Sequence, residues 1–174
     1  MVMNQKTNQP EVWLRGPLKD IPDLLQPAAH ALQQTQEDLR YLLSTFNDEL
    51  LWEKPAGRAS IGFHLQHITG VLDRMITYAK EEKLSENQFE YLRLEGIEDL
   101  TLTAAKLLQN FDDKMLEAIH FFKEIDKKLL LKKRVVGRKE LPSTVLGLLF
   151  HAAEHSQRHL GQLLVTVSIL EYPK

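Results

Sequence analysis

Residues 148–166 read LLFHAAEHSQRHLGQLLVT, and this stretch decides the fold. Val145, Leu146, Leu148, Leu149, Phe150, Leu160, Leu163, Leu164 and Val167 make the segment apolar almost all round, the mark of a helix expected to be largely buried. One line along it is polar: His151, His155, His159, Gln162 and Thr166. Steps of four, four, three and four residues keep those side chains on one helical face. Buried polar groups are costly unless partnered, so an ordered line of them points to a shared task. Two histidines one turn apart can converge on one ion. Three cannot, because His151 and His159 lie about 12 Å apart along the axis at 1.5 Å per residue. The pair is therefore His155/His159 or His151/His155, and a second helix must supply a third ligand.

Working outward, the chain supplies that helix. Ser60 is placed to cap it, and Ile61, Leu65, Ile68, Leu72, Met75 and Ala79 form its apolar stripe, with an end near residues 80–83. It carries His64 and His67. Five of the seven histidines thus fall on two helices, while His30 and His120 stand alone. A first helix is predicted over 21–46 from Ile21, Leu25, Ala28, Leu32, Leu39, Leu42 and Phe46, with Pro22 tolerated in its first turn. Pro55 and Gly57 break the pattern in DELLWEKPAGRAS (48–60). A third helix is predicted over 101–130, with Ala104, Leu108, Phe111, Met115, Ile119, Phe122 and Leu129 inward. The last is capped by Ser143, reaches about Leu170 and is stopped by Pro173. LSENQFEYLRLEGIEDL (84–100) leaves room for a short helix ending at Gly96, and KKRVVGRKELP (132–142) reads as a hairpin or an irregular crossover. Four amphipathic helices with little strand signal define an all-α four-helix bundle. A single domain over 1–174 is expected, with 1–20 as an extended N-terminal segment.

Composition bounds the function. The 174 residues, 43% hydrophobic and 26% charged, describe a globular chain. Lys and Arg total 22 against 24 Asp and Glu, without the basic excess of a nucleic-acid binder. The basic run Lys127, Lys128, Lys132, Lys133, Arg134, Arg138 and Lys139 has no interleaved aromatics for bases to stack on and reads as solvated surface. There is no cysteine, so any metal rests on nitrogen and oxygen. MVMNQKTNQPEVWLRGP (1–17) lacks the apolar core of a signal peptide, and no apolar run approaches the roughly 20 residues of a membrane span. A cytoplasmic protein without membrane or nucleic-acid partners is expected.

AGRASIGFHLQHITGVLDRMITYAK (56–80) resembles the second helix of the DinB-like family, damage-inducible and metal-dependent proteins unrelated to the polymerase of that name. LLFHAAEHSQRHLGQLLVT resembles its last helix, where the pattern is roughly H-x-x-x-H-x-x-x-H-[RL]-G-Q. With WLRGPLKDIPDLLQP (13–27) the likeness spans nearly the whole chain. The resemblance implies an up-down-down-up bundle with a long crossover. It implies one divalent transition metal, zinc, nickel or iron, held by His67 and by the pair before Gly161–Gln162, His155 and His159. Leu160 stands where arginine is more usual, which puts no ligand in doubt. Three neutral imidazoles leave coordination positions open, where a water or thiol can be acidified. Several relatives are thiol-dependent S-transferases or isomerases, so the implied activity is that of a metal-dependent S-transferase or hydrolase. Its cosubstrate would be a low-molecular-weight thiol, its substrate a small electrophile, and its assembly a homodimer.

Around those ligands, His64, His151 and Gln162 are candidates for backing a ligand or lining the pocket. Arg74, seven residues beyond His67, is a candidate for meeting a substrate carboxylate, against a surface pairing with Asp or Glu. Glu154 and Arg158 point off the stripe and read as solvent or interface residues. No catalytic side chain is indicated beyond a metal-bound water or thiol. Two other readings compete: a metal-stabilised bundle acting as a binding module, and a metal-free bundle with core histidines.

Overall fold

The computed structural model describes residues 9–172. Its helices are α1 (Gln26–Leu42), α2 (Ile61–Ala79), α3 (Glu86–Leu94), α4 (Ala104–Glu124) and α5 (Val145–Leu170). A hairpin of β1 (Lys133–Val136) and β2 (Leu141–Thr144) precedes α5. The strands are antiparallel, with Lys133 opposite Thr144 and Val136 opposite Leu141. Of the two readings of 132–142, the hairpin is the one found. Pro173, the expected stop of the last helix, lies outside the described residues, as does the start of the N-terminal segment.

The four long helices surround one core whose fully buried members include Leu32, Leu39, Leu65, Ile68, Leu72, Phe111 and Phe122. α5 packs between α1 and α2, and α4 closes the other side. The loop after α1 meets the start of α2, where Gly62 N–H donates to Leu51 C=O, and the start of α4, where Ala104 N–H donates to Asp48 Oδ1. α1 therefore ends where α2 and α4 begin. α5 runs back against α2, pairing His159 with His64 and His155 with His67. The directions are up, down, down, up. Parallel neighbours α2 and α4 cannot be joined by a tight turn, so the chain must return along the bundle between them. α3 is that return. Ser85 starts it with a capping box, and Gln88 Nε2 donates to Asp73 Oδ2 and Thr77 Oγ1 near the far end of α2. Gly96 N–H then donates to Gln66 Oε1, back toward its beginning.

Four boundaries correct the periodicity, one of them the end of the first helix, which lies at Leu42 and not at Phe46. The first helix starts at Gln26, not near Ile21. A separate turn of 3-10 helix over Asp23–Leu25 leads in, and the Gln26 side chain holds the entering loop through Leu18 and Ile21. The third helix stops at Glu124 because Asp126 accepts from Lys128 N–H and starts a new 3-10 turn, leaving Leu130 buried and Leu129 39% exposed. The last helix is capped by Thr144, whose Oγ1 accepts from Gly147 N–H, while Ser143 pairs within the hairpin. Ser60 caps α2 as expected, accepting from Phe63 N–H.

Two further corrections concern burial. α5 is not buried all round: Phe150, Leu164 and Val165 are exposed. The basic run is not wholly solvated either. Arg134 is buried and its Nε donates to Ala79 C=O, satisfying a carbonyl orphaned at the end of α2. A further interior polar contact ties α1 to α4. Asp112 is buried and accepts from Gln36 Nε2 at 2.8 Å and from Arg40 at 3.1 and 2.8 Å. Asp112→Ala is expected to cost about 1–3 kcal/mol, because several hydrogen bonds of about 1 kcal/mol each are lost together. Urea denaturation measures it.

Candidate metal centre

The antiparallel packing of α2 on α5 stacks two rows of histidine against each other. Nitrogens of His67, His155 and His159 lie within 4.8 Å of one another. His67 Nε2 and His155 Nε2 are 2.9 Å apart, and the ring centres of His155 and His159 are 4.5 Å apart. His159 is buried, while His67 and His155 are partly open to solvent.

The opposite nitrogens of these rings differ in what they face. His67 Nδ1 is 2.6 Å from Glu95 Oε2, and Glu95 Oε1 accepts from Arg74 Nη1 at 2.7 Å. Phe63 stacks on the same imidazole at 5.0 Å. His159 Nδ1 lies 2.8 Å from His64 Nδ1, one ring donating to the other. His155 Nδ1 is buried with no hydrogen-bond partner.

Burial pushes the His155 imidazole down to about 4, with the neighbouring His67 adding to it. His159 is pushed down to about 3 by burial and then by His155 and His67. Burial lowers His64 to about 4. At neutral pH these rings are uncharged and keep a lone pair.

This set suits a divalent transition ion. Donation from His67 Nδ1–H to the carboxylate leaves the His67 Nε2 lone pair pointing at His155 Nε2. At 2.9 Å either His155 Nε2–H donates to it, or, with the His155 proton on Nδ1, a cation takes both lone pairs. Nitrogens about 2.0–2.1 Å from a tetrahedral zinc are roughly 3.3 Å apart, close to the 2.9 Å between His67 and His155 and inside the 4.8 Å that bounds all three. Imidazole nitrogens alone suit zinc, nickel or iron, and do not select among them.

The remaining predicted residues fall as follows. His64 is buried behind His159. His151 stands one turn before His155, with ring centres 5.0 Å apart, and its Nδ1 is 3.0 Å from Glu154 Oε1. His151, Glu154 and His155 form a second group close enough to hold an ion. Gln162 lies on the exposed side of α5. Arg74 does pair with an acid, but inside the protein: it is 7% exposed, and its partner is Glu95. Arg158 is exposed and pairs with Glu154, and its charge helps hold His155 and His159 neutral.

Glu95 is the residue that sequence reading misses. It precedes Gly96 in a segment without clear periodicity, and only the return of α3 along α2 brings it to His67, 28 positions away. Gly70 was the available signal. A Cβ there would collide with Glu95 Oε1 and come within 2.6 Å of Arg74 Nη1, so the bare backbone makes room for the pair.

Fold and site together define a helical bundle with a histidine cluster able to hold a metal ion. A family model for the DinB superfamily matches residues 31–163, and the chain belongs to that superfamily. Its members are metal-binding proteins. No curated protein matches the chain. Among the described residues, no helix is long and apolar enough to cross a membrane.

Proposed function

We propose that this protein is a metal-dependent enzyme whose divalent ion is held by His67, His155 and His159. The observation that carries the reading is the convergence of three imidazoles within 4.8 Å, with Glu95 behind one and His64 behind another. A divalent ion with only three protein ligands supplies Lewis acidity at its open position, enough to lower the pKa of a water or thiol there. The chain's own residues do the rest. Glu95 stands behind His67 and His64 behind His159, and Phe63 covers one face of His67. His155 and His159, kept neutral by burial, retain their lone pairs for binding.

The reaction class that fits is thiol-dependent S-transfer to a small electrophile, or hydrolysis if water takes the open position. A cytoplasmic homodimer is the form in which we expect it to act. The test is turnover of an electrophile with a low-molecular-weight thiol, and of simple esters, by the metal-loaded protein. Activity is expected, and His155→Ala is expected to remove it with the fold intact by circular dichroism. Equal rates for the two proteins would overturn the enzyme reading.

One observation favours a second reading. The histidines come from two helices, so an ion among them would staple α2 to α5. A metal-stabilised binding module would melt far lower after chelation and turn over none of those substrates.

A further inference from the structure

Glu95 has no counterpart on the other two imidazoles. His159 is backed by a neutral ring, and His155 Nδ1 by nothing. The carboxylate is delivered by several independent local devices. α3 ends just before it, Gly96 follows with φ +80°, a conformation disfavoured for residues with a Cβ, and Gly96 N–H is held by the buried Gln66 side chain. Gly70 clears the space that the carboxylate and Arg74 occupy. Each carboxylate oxygen then has one partner, His67 Nδ1 at 2.6 Å and Arg74 Nη1 at 2.7 Å, with the Glu95 side chain only 4% exposed.

We infer that Glu95 is a positioning residue for the metal centre, fixing His67 as the Nδ1–H tautomer so that Nε2 faces the ion. Arg74 is part of the same device. It holds Glu95 from the other side and offsets its charge, leaving a carboxylate that accepts from His67. Without Glu95 the imidazole is free to turn about its χ2 axis or to carry its proton on Nε2, and either change takes the lone pair away from His155 and His159. The role is distinct from ligation, because the carboxylate stands behind His67 and outside the three converging nitrogens. It also places the third ligand under the control of the α2–α4 crossover, which otherwise does no more than return the chain.

The inference rests on the metal reading above, and the experiment separates the two. Untagged, full-length protein is stripped of metal and titrated with cobalt(II) against a competing chelator, followed by its visible absorption. The wild type is expected to bind. Glu95→Gln, which loses the charge, is expected to bind about 10–100-fold more weakly. Should Glu95→Gln fail to fold beside an unpaired Arg74, the double variant Arg74→Met/Glu95→Leu replaces the whole pair by apolar groups and is expected to fold and bind as weakly. The tautomer is read separately on metal-free wild type by long-range 1H–15N NMR, where His67 is expected as the Nδ1–H form alone. A wild type that binds no cobalt removes the metal reading and this inference with it. A wild type that binds, with variants matching its affinity within twofold, overturns the role of Glu95 alone. So does a wild-type His67 protonated on Nε2.

Discussion

His159→Ala is expected to remove most of this protein's metal affinity. The imidazole it removes stands 4.7 Å from the ring centre of His67 and 4.5 Å from that of His155, and no other ring holds both positions at once. His64 cannot replace it, since its own Nδ1 is directed at the nitrogen being removed. Losing a partner of a ligand costs about 10–100-fold in affinity, and losing a ligand itself is expected to exceed that range. The same change strands His64, a buried ring whose partner has gone, at about 1–3 kcal/mol in the metal-free protein. Isothermal titration with zinc gives the first quantity and urea denaturation of the stripped protein the second. His151→Ala, at a half-exposed ring paired with Glu154, is expected to change either far less.

The second large effect is on stability. Arg74 and Glu95 are both interior, with side chains 8% and 4% exposed, so water does little to soften the loss of either. Arg74→Met leaves the Glu95 carboxylate buried with His67 as its remaining partner. Breaking a buried pair from one side costs about 3–5 kcal/mol, and replacing both partners by apolar groups is close to neutral. Arg74→Met should therefore lie well below wild type in urea denaturation, and Arg74→Met/Glu95→Leu should recover most of the difference. A bound divalent ion would offset part of the uncompensated negative charge, so the loss from Arg74→Met should shrink in metal-loaded protein. Equal losses with and without metal would mean that Glu95 and the ion do not sense each other.

Much of this was legible in the residues because helices carry their periodicity locally. The apolar stripe of α2 and the spacing of His151, His155 and His159 on α5 depend only on 3.6 residues per turn, and they survive in the structure. Periodicity could not choose between His64 and His67. Both lie on the face toward α5, and the choice turns on which nitrogen each ring presents: His64 meets the far side of His159, whereas His67 meets His155 with its Nε2. The family resemblance had pointed to His67. Arg74 pairs with an acid of the crossover and not with one at the surface, and no pattern marks a residue that folds back. Periodicity overruns a helix end where a side chain competes with the backbone, as at Asp126 and Gln26. An apolar composition overstates the burial of α5 because it says nothing of which neighbours reach it.

The most direct test of the metal centre is elemental analysis of the protein purified without a histidine tag and dialysed free of loose ions. One divalent transition ion per chain is expected for the wild type, and close to none for His159→Ala. A wild type that keeps no stoichiometric ion after incubation with zinc, nickel or iron would contradict the metal reading.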